Sequence, residues 1–316
     1  MSDPAPYFAE ITPGTDAPRA SWIKASDGVR LRVGVWAAHT PQENGEAKGT
    51  VFLLPGRTEY VEKYSLVATE FAKHGLSSLA IDWRGQGIAD RLVKDPMSGH
   101  VAHFSNYQLD LDAMLEHGGD MPKPWFVLGH SMGGAIGLRA IMERSDFKAA
   151  VFSGPMWGIQ TSAVMKPVMW SLCWLARAFG VDHLYPPTTT GAKSYIMTEP
   201  FETNGLTRAA DMYQLMRDQL SAHPELQLGA PSFRWLYEAL LEIRVLVTSP
   251  VPNLPCLTIM GSEEGIIRQD RVKARMANWP NGTLHIEPGG KHELLMEDEA
   301  TRLRISHMLA EHYLNA

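Results

Sequence analysis

A serine stands between glycines in the stretch FVLGHSMGGAIG, residues 126–137. Ser131 follows an apolar run that reads as a strand, and the residues from Met132 onward read as a helix. A serine on a sharp strand-to-helix turn has its hydroxyl lifted clear of the sheet edge, where it can attack a carbonyl carbon. Gly129 and Gly133 lie two residues either side of it, where side chains would collide as strand and helix approach. The pentapeptide G-x-S-x-G arises by chance in roughly one chain in ten of this length. Its surroundings must therefore carry the assignment.

A hydroxyl is a weak nucleophile that needs a base, and the base needs an acid to orient it. On a parallel sheet the three follow in the chain order serine, acid, histidine. Of the twelve histidines, His292 stands in EPGGKHELLMED, a loop between a predicted strand and a predicted helix, at the strand end where such sheets bind ligands. His285 falls within its strand and reads as structural. His100 and His103 resemble a metal pair, but no further ligands gather near them in sequence. The loop after the strand CLTIMG reads SEEGIIRQD and offers Glu263, Glu264 and Asp270 as acids; Asp270 suits the first turn of the next helix. Acyl transfer also needs N–H donors for the developing oxyanion. The Met132 amide, at the start of its helix, is one candidate, and the Arg57 amide, in the loop PGRTEY after the strand TVFLLP, is the other.

These loops need a scaffold. SWIKA, VRLRVGVW and TVFLLP read as strands, with Asp27-Gly28 as a hairpin turn between the first two. From Tyr60 to Ser153 helices alternate with apolar strands, which implies parallel strand-helix-strand units covered on both faces. The rhythm breaks after Pro155: residues 156–252 carry helical patterns rich in Trp and Met, with no convincing strand. It resumes with LPCLTIMG. The sequence thus predicts an α/β core of residues 1–155 and 253–316, with a helical insertion at 156–252.

Composition narrows the function further. The chain of 316 residues is 45% hydrophobic and 20% charged, with a net charge of −6; no basic stripe is available for nucleic acid. Two cysteines suit a reducing compartment. The N-terminal residues lack the pattern of a secretory signal, and the most apolar window is interrupted by Lys166, Pro167 and Arg177. A cytoplasmic protein without a transmembrane segment is expected.

Taken together, LLPGRTEYVEKY, AIDWRGQG, GHSMGG, GSEEG and GGKHELLMED resemble the serine α/β-hydrolases, in particular their lysophospholipase and monoacylglycerol lipase branch. The resemblance implies an α/β-hydrolase fold, a mostly parallel central sheet flanked by helices with a helical cap. It implies that Ser131 is the nucleophile, His292 the base and Glu264 the acid, with Glu263 the alternative, and that the amides of Arg57 and Met132 form the oxyanion hole. Asp82 and Arg84 fall in a bracing motif of the family. The expected substrate is a lipid-like monoacyl ester, a lysophospholipid or monoacylglycerol, cleaved without metal or organic cofactor. Met156, Trp157, Trp170 and Trp174 are candidates for lining an acyl pocket in the cap, or for packing the cap onto the core. The cap could also touch a membrane surface transiently. The Arg57 side chain either meets a phosphate headgroup or pairs with Glu59 or Glu62. The same triad could instead serve an acyltransferase or thioesterase, and an inactive fold of this type could serve as a small-ligand binding module. Oligomeric state is left open.

Overall fold

The strand-forming runs line up in one nine-stranded sheet of order β1-β2-β3-β5-β4-β6-β7-β8-β9. The computed structural model describes residues 3–14, 18–39, 46–162, 164–187 and 189–316. At one edge β1 (Asp3–Pro4), β2 (Arg19–Lys24) and β3 (Arg30–Trp36) pair antiparallel, and β3 joins β5 (Ser77–Asp82) antiparallel. From there β4 (Thr50–Leu54), β6 (Trp125–His130), β7 (Phe147–Ser153), β8 (Cys256–Gly261) and β9 (Gly282–Glu287) continue in parallel. The two-residue β1 has no counterpart in the sequence reading; such a short run carries no periodicity.

Alternation along each strand supplies two apolar faces. Val51 and Leu53 of β4 point to one side with Phe126 and Leu128 of β6, where α1 (Ser65–Lys73) and α9 (Glu299–Leu314) cover them with Phe71, Leu309 and Tyr313. Phe52 and Leu54 point to the other, with Val127, under α2 (Asn106–His117), α3 (Met132–Glu143) and α8 (Gln269–Met276). Each fully buried large side chain contributes about 1.5–3 kcal/mol relative to exposure, so the register of the central strands is firmly set.

Between β7 and β8 the chain forms α4 (Met165–Ala178), α5 (Tyr195–Thr198), α6 (Ala210–Ala222) and α7 (Phe233–Thr248). α7 is capped by the Ser232 hydroxyl, which accepts the Trp235 N–H at 3.1 Å. Cys173 and Ala176 are the buried residues of α4, which packs on α7. Its other side carries Val168, Leu172, Leu175 and Phe179, spaced at one helical face and 40–77% exposed. No described helix is long and apolar enough to cross a membrane.

Candidate active site

β6 ends at His130 and α3 begins at Met132, which leaves Ser131 alone at the turn with φ 49° and ψ −112°. Such a conformation costs a non-glycine residue about 1–3 kcal/mol. It is held by backbone bonds on both sides. The Ser131 N–H donates to Ser153 O at 3.0 Å, and its carbonyl accepts from Gly134 N at 2.9 Å and Met156 N at 2.8 Å. At Gly133 an added Cβ would run into the Leu54 carbonyl at the end of β4, so the helix can sit this close only with glycine there.

Beyond β9, the loop bearing His292 folds back over the end of β7. His292 is 4% exposed, and its Nδ1 lies 2.6 Å from Glu264 Oε2. The other Glu264 oxygen accepts the amides of Ile266 at 2.7 Å and Ile267 at 3.1 Å. Burial on its own would raise the Glu264 pKa, but the imidazole and these amides hold it below the ordinary carboxylate value. A carboxylate accepting the Nδ1–H leaves the Nε2 lone pair free to take a proton. Glu263, the neighbouring alternative, points to solvent, and Asp270 pairs with Arg268 outside the site. Gly154, with φ 48°, lies against the imidazole; a Cβ there would sit 3.1 Å from His292 Nδ1.

Ser131, Met132, His292 and Arg57 line one cavity of about 410 Å³. The Arg57 amide has no acceptor among the described residues, and the Met132 amide, first in its helix, has no intrahelical partner. Around Arg57 the loop is braced by the segment AIDWRGQG. Gln86 Oε1 accepts the Thr58 N–H at 2.8 Å, the Trp83 indole N–H donates to Pro55 O at 2.9 Å, and Thr58 itself has φ 69°. Asp82 accepts from Arg32 at 2.8 Å and Arg84 bonds Asp110 at 2.7 Å, both away from the cavity lining.

Most of the remaining wall is apolar, with Met156, Ile196, Leu206, Met216, Leu220 and Trp235 among its members. Of the four candidates for an acyl pocket, Met156 lies in the wall of this cavity. The three tryptophans lie outside this cavity, and Trp157 takes the other place open to it, packed on the core. Trp157 is 1% exposed and donates its indole N–H to Gly134 O at 3.1 Å, because it follows β7 directly and is pinned against α3. Trp170 lines a separate groove with Leu240 and Ile243 of α7. Trp174 is 59% exposed.

The sequence reading also missed a buried charged group behind His292. Lys63 Nζ donates to Glu59 Oε1 at 2.5 Å and Glu293 Oε1 at 2.7 Å. His130 Nε2 lies 3.5 Å from Glu293 Oε2, its Nδ1 donates to Ser153 O at 3.0 Å, and its ring centroid is 4.9 Å from that of His292. Burial disfavours charge on His130, yet Glu59 and Glu293 together raise its pKa. Burial would likewise raise Glu293, but Lys63 and His130 hold it well below the carboxylate range. Glu59, His130 and Glu293 are close enough together to grip a cation, and the Lys63 ammonium bridges the two carboxylates. The Glu59 to Lys63 spacing was the available signal, since residues four apart meet on a helical turn. Of the other histidine pair, His100 bonds the Ser232 hydroxyl at 3.0 Å and His103 is largely exposed.

The model of the serine aminopeptidase S33 family of hydrolases matches residues 45–299. The chain belongs to that family. Within it, similarity runs to lysophospholipase L2 of Escherichia coli K12, 28% identical over 83% of this chain and 79% of the relative. A probable lysophospholipase L2 of Haemophilus influenzae is 25% identical over 98% of each chain. Among solved structures, a soluble variant of Saccharomyces cerevisiae monoglyceride lipase in complex with a substrate analog superposes with a TM-score of 0.75 at 18% identity. It covers 99% of this chain and 98% of that one, and at that identity it speaks for the fold alone. The S33 chain described here is thus a serine hydrolase with the α/β-hydrolase fold.

Proposed function

We propose that the protein hydrolyses the carboxylic ester of a monoacyl lipid through an acyl-enzyme on Ser131. The observation that carries this reading is the junction of one cavity: a strained serine, a histidine oriented by a buried carboxylate, and a largely apolar wall. Its volume lies in the range of about 300–1,000 Å³ usual for small-molecule sites. The names of the relatives, lysophospholipases L2, support a lipid ester over a peptide.

In this mechanism Ser131 Oγ attacks the acyl carbonyl while His292 Nε2 takes its proton. Glu264 keeps the Nδ1–H in place and stabilises the imidazolium that forms. The amides of Arg57 and Met132 receive the oxyanion. His292 then protonates the leaving alcohol, and in the second half it activates water to release the fatty acid. Residues 156–252 act as a cap on the core of 1–155 and 253–316, placed so that α6 and α7 enclose the acyl chain. The exposed apolar stripe of α4 supports transient contact with a lipid surface. Two buried free thiols, Cys173 and Cys256, support a cytoplasmic setting.

A fluorophosphonate probe tests the nucleophile. Labelling of the native protein and none of Ser131→Ala is expected; equal labelling of both would refute the assignment. Hydrolysis of esters of graded acyl length and headgroup then tests the substrate class.

A further inference from the structure

The side chain of Arg57 has no part in the chemistry above. Arg57 nevertheless lines the cavity that holds Ser131 and His292. Nη1 donates to Gly229 O at 2.8 Å, and Cζ lies 5.7 Å from the Trp235 ring centroid. No carboxylate among the described residues forms an ion pair with it, although Glu59 and Glu62 are near in sequence. Both are engaged elsewhere: Glu59 with Lys63, Tyr64 and the Gly56 amide, Glu62 with Arg32 at 2.6 and 2.7 Å. Nε and Nη2 of Arg57 have no hydrogen bond among the described residues and are not among the fully enclosed, unbonded polar atoms. They therefore keep some accessible surface.

Burial pushes the Arg57 pKa down to about 10, which leaves it charged at neutral pH. A desolvated cation is ordinarily balanced by an anion. The other cationic side chain of the cavity wall, Lys63, has two carboxylates; among the described residues Arg57 has the Gly229 carbonyl, the Trp235 ring and the neutral phenols of Tyr107 and Tyr185 near it. Thr190 also lines the cavity.

We infer that the Arg57 guanidinium receives a phosphate on the leaving-group side of the substrate, so that the enzyme selects monoacyl phospholipids over neutral monoacylglycerols. This rests on the ester-hydrolase reading above. One residue then spans the substrate, with its amide at the acyl carbonyl oxygen and its guanidinium fork at the phosphate oxygens. The three-methylene stem between them is comparable in length to the glycerol backbone that separates acyl ester from phosphate in a lysophospholipid. The phosphate is bound and not transferred; the bond broken remains the acyl carbon–oxygen bond.

The test compares native protein with Arg57→Gln on 1-lauroyl lysophosphatidylcholine and 1-lauroylglycerol, both as monomers. The native protein is expected to favour the phospholipid, and the ratio of the two kcat/KM values to fall about 10- to 100-fold in the variant, the scale of a lost charge-assisted contact. Equal losses on both esters would mean that Arg57 only ties the oxyanion loop to Gly229, and would overturn the inference. So would a native preference for the glyceride. A second arm needs no turnover: protection of Ser131 from the fluorophosphonate by glycerophosphocholine, glycerol or inorganic phosphate. Protection by glycerophosphocholine alone, lost in Arg57→Gln, supports a headgroup site; equal protection by inorganic phosphate marks a free-anion site and overturns it. If neither lipid is hydrolysed, the ester-hydrolase reading fails, while the protection arm still decides the role of Arg57.

Discussion

Glu264 separates itself from Glu263 by what its backbone surroundings do. The amides of Ile266 and Ile267 fix one carboxylate oxygen and leave the other for His292. Glu264→Gln is therefore expected to lower kcat on a soluble chromogenic ester by roughly 10⁴-fold, as loss of the orienting acid does in serine triads. Exposed Glu263→Gln should stay within about twofold, in line with surface substitutions away from such features; the reverse order of effects would show that the acid was assigned one residue late. Gly154 offers an independent probe of the same histidine. Its positive φ and the closeness of the imidazole mean that Gly154→Ala must displace His292 or the backbone. A shift of about 1 Å costs on the order of 100-fold in rate, so kcat should fall by about that factor with KM little changed. The two adjacent glutamates also show where sequence reading stops. Spacing put both in the right loop, but the choice depends on which carboxylate the following turn captures.

At the scale of elements, the short turn after β4, the end of β6 and the loop after β9 meet through Glu59, Lys63, His130 and Glu293. Breaking a buried pair of this kind costs about 3–5 kcal/mol, so Glu293→Gln should lower the unfolding free energy in urea by that order. The pH dependence follows from the shifts. Glu293 is depressed, so its contribution is present above the unfolded carboxylate value of about 4.3 and lost as pH falls through the lower folded value. His130 is raised, so its contribution is complete below about 6.5 and lost as pH rises through its folded value. The stability difference between native protein and His130→Asn should accordingly shrink as pH is raised from about 6 toward the alkaline side; a difference that grows would show that His130 is neutral in the fold. These residues were quoted in motifs without being joined, because no periodicity reveals that a turn near residue 60 packs on a loop near residue 293. The strands were more legible. Fully buried parallel strands are written as unbroken apolar runs, and alternation told helix from strand at almost every core element.

Among the described residues, the molecule presents an α/β core with a conspicuous apolar surface, the outer face of α4. Sequence composition marked this region as rich in Trp and Met but could not say which residues faced the cavity, the core or solvent, since that depends on how α4 leans on α7. Trp170 and Trp174 ended in different places for that reason, while Trp157 was fixed earlier by its place directly after β7 against α3. If the face touches lipid, replacing Leu172 and Phe179 by Ser should weaken binding to neutral phosphatidylcholine vesicles by about tenfold or more, given the burial gain of large apolar side chains. Turnover of a soluble short-chain ester should be unaffected. Vesicle binding that is equal in both proteins would leave the stripe without that role.

The chain order of the site has a further consequence, in time rather than in space. Ser131 is synthesised before residues 156–252, whereas Glu264 and His292 follow them, in the loops after β8 and β9. A nascent chain on the ribosome thus exposes the Ser131 turn while β7 still lacks its neighbour, and on the mechanism proposed above the serine has no base until β8 and β9 have added to that edge. Stalled chains should acquire fluorophosphonate reactivity only once residue 292 has cleared the exit tunnel.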